Sequence, residues 1–125
     1  MELHEKIQKA YKKASNYPDL VKRLIAIKIK SYTVDVSTGI VLYRFSKGSH
    51  VLQPGSAERT IAALFNNEQT VQAVRDNQQG KTDYPAFMQD IARAGVRFYE
   101  ATLDGDNKRV TYIGTGGFYE EKISV

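Results

Sequence analysis

The feature that most restricts the fold of this chain is a short motif that occurs twice. Residues Ser15–Pro18 read "SNYP", residues Thr82–Pro85 read "TDYP", and the two copies start 67 residues apart. Apolar and aromatic residues downstream match at the same spacing: Leu20 with Phe87, Leu24 with Ile91, Ile29 with Val96, Tyr32 with Tyr99, and Val36 with Leu103. Because these matches fall at core-type positions, we predict an internal repeat of about residues 1–54 and 67–125.

Each copy has the pattern of two helices followed by three strands. In the first helix, apolar residues recur with the ~3.6-residue period of an amphipathic helix, namely Leu3, Ile7, Ala10, Tyr11 and Ala14. Beyond the Tyr-Pro helix the period becomes two, which predicts strands joined by hairpin turns. We therefore predict one α+β domain spanning residues 1–125, with two pseudo-symmetric helix-helix-strand-strand-strand repeats that share one core. The helices should cover one face of a mainly antiparallel sheet, and residues 57–65 fit either a helix or a short strand.

The motif "GKTDYP", residues 80–85, has a structural and a functional interpretation. Proline suits the first turn of a helix because its missing N–H has no partner there, and Asp83 can accept hydrogen bonds from first-turn N–H groups. On this interpretation the motif only begins a helix, as "SNYP" does in the first copy. Lys81 and Asp83 lack identical counterparts, however, since the first copy has an alanine and an asparagine there. The functional alternative is a ligand-binding site of Lys81, Asp83 and Tyr84, confined to the second copy.

The composition excludes several classes of protein. The 125 residues include no cysteine, which excludes disulfides and thiolate metal sites, and no apolar run approaches the ~18 residues of a membrane span. The N-terminal segment is charged and periodic, unlike a signal peptide, so we expect a cytoplasmic protein. Residues 1–66 contain 11 Lys and Arg against 5 Asp and Glu, a charge of +6, whereas residues 67–125 contain 7 against 9, a charge of −2. This unevenness predicts an anionic partner or head-to-tail self-association, with an ordinary solvated surface as the alternative.

Other candidate chemical sites have simpler explanations. His4 and His50 lack the spacing of metal-binding histidines, and we expect both at the surface. The glycine-rich stretch "IGTGGF", residues 113–118, is followed by too little chain for the helix of a phosphate loop, so it predicts a hairpin turn. The acidic turn at residues 104–107 lacks the full pattern of a calcium loop. We therefore predict no metal ligands and no cofactor.

The C-terminal half carries a distinctive set of motifs. They are "QGKTDY" at residues 79–84, Phe87, "AGV" at residues 94–96, and the tyrosine-rich strand pair from Tyr99 to Tyr112. In these motifs the chain resembles the YbcV-like family of small bacterial and prophage proteins, some of which are labelled phage envelope proteins. The resemblance implies a domain of unknown function without established catalytic residues or cofactor. Family members often have a cysteine after the phenylalanine, where this chain has Met88, so the resemblance carries over no thiol chemistry.

The sequence alone does not specify a molecular function, and three classes stay open. We expect a small soluble binding or interaction protein, prophage-derived and regulatory, whose partner is another protein or a second copy of the chain. The second class is nucleic-acid binding through the basic N-terminal half, where lysines form one face of the first helix. These lysines are Lys6, Lys9, Lys12 and Lys13. The third class, which we rank last, is an enzyme that uses Lys81, Asp83 and Tyr84.

Overall fold

The computed structural model of the chain describes residues 2–124. Its first half contains α1 (Leu3–Lys13), α2 (Tyr17–Ala26), β1 (Ile29–Asp35), β2 (Val41–Phe45) and β3 (His50–Gln53). Its second half contains α3 (Asn67–Gln78), α4 (Tyr84–Arg93), β4 (Val96–Thr102), β5 (Arg109–Gly114) and β6 (Gly117–Lys122). Both halves therefore have the predicted order of helix, helix, strand, strand, strand.

The strands form one six-stranded antiparallel sheet in the order β3-β2-β1-β4-β5-β6. The two halves join at the centre, where β1 pairs with β4 and Thr33 faces Glu100, its own counterpart at the 67-residue spacing. The flanking pairs obey the same relation: Tyr32 faces Ala101, and Val34 faces Tyr99. This register is that of a pseudo-twofold axis through the Thr33–Glu100 pair. The predicted α+β fold, with helices on a mainly antiparallel sheet and the same order of elements in both halves, is confirmed.

The helices pack on one face of the sheet and enclose the core between them. Residues alternate along each strand, so that β1 buries Tyr32 and Val34 while Thr33 between them is half-buried on the other face. The helices contribute fully buried side chains, among them Val21, Leu24, Met88 and Ile91. The other face, which we call the open face, carries Leu52 and Phe118 at 58% and 64% exposure. None of the helices within residues 2–124 combines the length and apolar character needed to cross a membrane.

Asparagine and aspartate side chains begin three of the helices. Asn16 and Asp83 each accept a hydrogen bond of 2.9 Å from the N–H three residues further on, at the starts of α2 and α4. The helix α3 is capped in the same way by Asn66. Of the two adjacent asparagines, Asn66 is the N-cap and Asn67 is the first helical residue, because Asn66 has the extended backbone of an N-cap.

The turn between the second helix and the first strand has the same backbone in both halves. Gly95 adopts the left-handed conformation with φ of +85°, and Lys28 at the equivalent position has φ of +74°. The turn therefore keeps its geometry although a lysine replaces the glycine in the first half. A β-bulge follows each turn, between Ile29 and Ser31 in β1 and between Val96 and Phe98 in β4.

Residues 54–66 connect the two halves without forming a helix or a strand. Their backbone bonds go to other elements, since the Ala57 N–H donates to the Thr38 carbonyl and the Phe65 N–H donates to the Thr115 carbonyl. Both structures predicted for residues 57–65 are therefore wrong, because neighbouring turns and helix ends satisfy this backbone from outside.

The glycine-rich stretch at residues 113–118 forms the predicted hairpin turn, between β5 and β6. Gly117 of this turn and Gly95 before β4 also make room for the linker, residues 54–66, which crosses beside them. A Cβ atom added to Gly117 would lie 2.8 Å from the Phe65 ring, and one added to Gly95 would overlap the Leu64 carbonyl oxygen. The glycines here therefore serve close packing between segments.

Candidate functional site

Tyrosines from the helices and the strands meet on the covered face of the sheet. Tyr17 and Tyr84 are the first residues of α2 and α4, so the capping turns set their positions. The Tyr17 hydroxyl lies 2.8 Å from the Tyr32 hydroxyl, and the Tyr84 hydroxyl lies 3.2 Å from the Tyr99 hydroxyl. We call these two contacts the tyrosine pairs. Each joins the start of a helix to the first strand of its own half, β1 or β4.

Both tyrosine pairs line one cavity of about 630 Å³, which we call the tyrosine cleft. Its aromatic lining consists of Tyr17, Tyr32, Tyr84, Phe87, Tyr99 and Tyr112. Its polar lining residues include Asn16, Asn77, Gln78 and Glu121. Most of the lining belongs to the second half, although each half contributes its tyrosine pair. The cleft is therefore asymmetric within a pseudo-symmetric fold.

The cleft is open in the second half because an aromatic residue of the first half has no aromatic counterpart there. In the first half, Tyr11 of α1 covers Tyr43: the ring centroids are 6.4 Å apart, and the Tyr43 hydroxyl donates to the Tyr11 hydroxyl at 2.8 Å. The residue 67 positions after Tyr11 is Gln78, the last residue of α3. Its amide donates to Glu121 at 3.3 Å. Tyr112, the counterpart of Tyr43, is thus left facing the cleft.

Glu121 lines the cleft and is held by an ion pair with Arg75, which lies outside the lining. Arg75 Nη1 donates to both carboxylate oxygens of Glu121 at 3.0 Å, and the Tyr119 hydroxyl donates to Oε1. Burial by itself raises the pKa of Glu121, but the hydrogen bonds from Tyr119, Arg75 and Gln78 outweigh it and hold that pKa below its usual value. The carboxyl is therefore ionised at neutral pH, with its charge offset by Arg75.

Burial keeps the hydroxyls of Tyr17, Tyr32 and Tyr99 protonated. It raises the pKa of Tyr17 to about 12, against the lowering effect of the hydrogen bond with Tyr32. It also raises the pKa of Tyr32 and of Tyr99 well above the usual value for tyrosine. A hydroxyl has one proton to donate, and the bond within a pair uses one of the pair's two protons. Each pair therefore keeps one O–H for a further acceptor.

The structure separates the residues of the predicted "GKTDYP" site. Tyr84 lines the cleft, whereas Lys81 and Asp83 are exposed and lie outside its lining. The Lys81 N–H donates to the Asp76 carbonyl at 2.9 Å, and the Asp83 carboxylate caps α4. Within the described residues, no hydrogen bond or ion pair joins these three side chains to one another. A ligand-binding role for Lys81, Asp83 and Tyr84 stays a prediction.

The remaining candidates of the sequence lie at the surface or close to it. His50 is exposed, as predicted, and the acidic turn at residues 104–107 is exposed too, whereas His4 is half-buried. Within residues 2–124, no group of three or more His, Cys, Asp or Glu side chains is arranged to hold a metal ion.

A family comparison matches most of the chain. A family model described as "Protein of unknown function (DUF1398)" matches residues 5–117. The chain belongs to the DUF1398 family. No curated protein is a significant match to it. Because the description of the DUF1398 family names no activity, the function of this member has to be inferred from its own residues.

The sequence patterns identify only part of the cleft in this DUF1398 chain. They predict Tyr32 and Tyr99 as core residues, and both are buried. They give no reason to select Gln78 or Glu121, because an isolated amide and an acid next to a turn are typical of a solvated surface. The signal that points to the cleft is the 15-residue spacing of the tyrosine pairs, which occurs in both copies of the repeat.

Proposed function

We propose that the protein binds a small, uncharged and mainly aromatic molecule in the tyrosine cleft. The cavity of about 630 Å³ falls within the range of roughly 300–1,000 Å³ that is typical of small-ligand sites, which are mostly apolar with a few polar groups. The observation that carries the proposal is the change from Tyr11 to Gln78 between the halves. In the first half Tyr11 packs on Tyr43, whereas Tyr112 in the second half is stacked on Tyr119 of β6, with ring centroids 6.3 Å apart, and also lines the cleft.

The charges around the cleft support an uncharged ligand. Glu121 is paired with Arg75 at 3.0 Å, so this wall has little net charge to offer. Lys122 also lines the cleft, but it is exposed and alternates with Glu121 along β6, so strand alternation directs its ammonium group towards the open face. The aromatic rings favour stacking, and the tyrosine pairs supply directional hydrogen bonds. A flat ring system with one or two oxygen acceptors satisfies both kinds of contact.

A set of probes with one ring system and different charges tests this proposal. Naphthol is neutral, naphthoate is an anion, and naphthylmethylammonium is a cation. We expect naphthol to bind most tightly of the three, with saturable NMR shift changes at the amides of Tyr84, Tyr99 and Tyr112. Gln78→Tyr should fill the cleft as Tyr11 fills the first half, and should weaken naphthol binding at least about tenfold.

Gln69→Tyr is the matched control, because Gln69 is an exposed residue in the first turn of the same helix. This variant should bind naphthol as the unmodified protein does. Equal binding by Gln78→Tyr and the unmodified protein, or equal loss in both variants, would contradict the proposal. Tighter binding of either charged probe would contradict the assignment of ligand charge.

Narrower assignments stay predictions. They are the YbcV-like and prophage-derived labels, a regulatory role, a cytoplasmic location, and association with a protein partner or a second copy. Nucleic-acid binding through α1 is one alternative function. An enzyme that uses Lys81, Asp83 and Tyr84 is the other, and the cleft supports it less well because only Tyr84 of these three lines it.

A further inference from the structure

The open face of the sheet has a second, shallower cavity of about 390 Å³, lined by residues of β1, β2, β3 and the turn that joins β2 to β3. Three lining residues carry basic side chains: Lys30, Arg44 and His50. Ser49 of the turn lines it as well. We call this cavity the basic pocket. It shares no lining residue with the tyrosine cleft, so the two cavities are separate features.

A β-bulge brings Lys30 to the basic pocket. Ile29 and Ser31 pair with consecutive residues of β2, which leaves Lys30 as an extra residue without a partner in that strand. Ile29 and Tyr32 are both buried on the helix side. The bulge therefore places the two residues between them, Lys30 and Ser31, together on the open face. Regular alternation would direct one of these two side chains into the core.

Arg44 lies at the centre of a row of side chains that crosses the three strands. Ser31 is opposite it on β1, and His50 is opposite it on β3. Arg44 Nη1 donates to Ser31 Oγ at 3.3 Å and to Thr33 Oγ1 at 2.9 Å. These bonds orient the guanidinium through one nitrogen and leave its other N–H donors for an anion.

No acid neutralises the basic pocket within the part of the chain that the structure describes. None of the four ion pairs there includes Lys30, Arg44 or His50. Glu100 belongs to the same hydrogen-bond network, but it is connected through the Thr33 hydroxyl, which donates to it at 3.3 Å. The three basic side chains therefore face the pocket without an opposing carboxylate in direct contact.

The basic pocket belongs to the first half alone. The counterpart of Arg44 in β5 is Ile113, according to the pairing of the two hairpins. The second half thus has an apolar side chain where the first has a guanidinium. This difference coincides with the uneven charge of the chain, because the basic side chains of the pocket come from the half that carries +6.

We propose that the basic pocket binds the phosphate group of a phosphorylated ligand. The guanidinium of Arg44 can donate two parallel hydrogen bonds to phosphate oxygens, and Lys30 adds a point charge beside it. The Ser49 hydroxyl and the His50 ring supply further donors from the adjacent strand and turn. The phosphate belongs either to a small phosphorylated molecule or to a nucleic-acid backbone, and the two sources share the same chemistry.

Titration with inorganic phosphate, followed by amide NMR shifts, tests the proposal. With the ionic strength held constant by chloride, we expect saturable shifts at Lys30, Arg44 and His50. Arg44→Gln should weaken phosphate binding at least about tenfold, because it removes charge-assisted hydrogen bonds. Arg93→Gln is the matched control, since Arg93 is an exposed arginine of α4 outside the pocket, and it should leave phosphate binding unchanged.

Phenyl phosphate and a single-stranded oligonucleotide, compared at equal phosphate concentration, identify the source of the phosphate. Tighter binding of phenyl phosphate supports a small molecule, and tighter binding of the oligonucleotide that is lost in Arg44→Gln supports a nucleic-acid backbone. If Arg44→Gln fails to fold, the exposed His50→Gln makes the same comparison. The proposal is overturned if phosphate gives no saturable shifts at the pocket, or if pocket and control variants weaken binding equally.

Discussion

At the scale of single residues, Lys28 has a backbone conformation that its side chain opposes. Its φ of +74° lies in the left-handed region, which costs an L-residue roughly 1–2 kcal/mol. Glycine has no such cost, although it loses more entropy on folding, by about 0.5–1 kcal/mol. We therefore expect Lys28→Gly to stabilise the protein by about 0.5–1 kcal/mol, measured as the free energy of unfolding in urea.

The equivalent turn in the second half provides the control for this prediction. Gly95 has nearly the same φ, but a Cβ atom there would also overlap the Leu64 carbonyl oxygen of the linker. Gly95→Ala should therefore destabilise the protein by more than about 1 kcal/mol. A loss of stability in Lys28→Gly would show that contacts of the lysine side chain outweigh the backbone strain.

At the scale of elements, the start of α4 is determined by one side chain. Asp83 accepts the Ala86 N–H at 2.9 Å, just as Asn16 accepts the Asp19 N–H at the start of α2. We expect Asp83→Ala to cost about 0.5–2 kcal/mol of unfolding free energy, and Asp83→Asn to cost much less, because asparagine caps a helix about as well as aspartate. Urea unfolding of both variants measures the difference.

The cap of α2 is the control for α4. Asn16→Ala should cost a similar amount, since the two caps have the same geometry. If Asp83→Asn is as destabilising as Asp83→Ala, then the charge of Asp83 matters beyond capping. That result would favour the functional interpretation of the "GKTDYP" motif.

At the scale of the whole molecule, the charge of the first half makes nucleic-acid binding testable. The lysines of α1 lie on its exposed side, with Lys9, Lys12 and Lys13 exposed and Lys6 half-buried. If these lysines contact phosphates, affinity for an oligonucleotide should fall by roughly 0.9 decades per decade of salt for each contact. A gel-shift or fluorescence titration at several salt concentrations measures this slope.

Variants of α1 show whether these lysines are responsible for the slope. Replacing Lys9 and Lys12 by glutamine should reduce the salt dependence of oligonucleotide affinity by the amount expected for about two phosphate contacts. Lys81→Gln should leave the salt dependence unchanged. Absence of oligonucleotide binding at low salt would exclude this alternative function. An oligonucleotide affinity that does not change with salt concentration would show that the lysines of α1 do not contact its phosphates.

Local sequence patterns were sufficient to predict most helices and strands of this fold. The Tyr-Pro motifs, the apolar periods and the matching positions in both copies predicted the order of helices and strands, because each of these signals depends on neighbouring residues. The linker at residues 57–65 was predicted wrongly, since its backbone partners, such as Thr38, lie elsewhere in the chain. Local patterns also do not determine which residue caps α3, because the adjacent residues Asn66 and Asn67 both fit the pattern of an N-cap.

The sequence by itself determined the α+β class, the repeated order of elements and the helix starts, since these follow from local propensity and periodicity. Only the tertiary structure decided where the cavities lie. The tyrosine cleft depends on the difference between Tyr11 and Gln78, and the basic pocket depends on a bulge that exposes Lys30. Neither change disturbs the local pattern of its helix or strand. Each has its effect through side chains on other elements, which become neighbours only when the sheet is assembled.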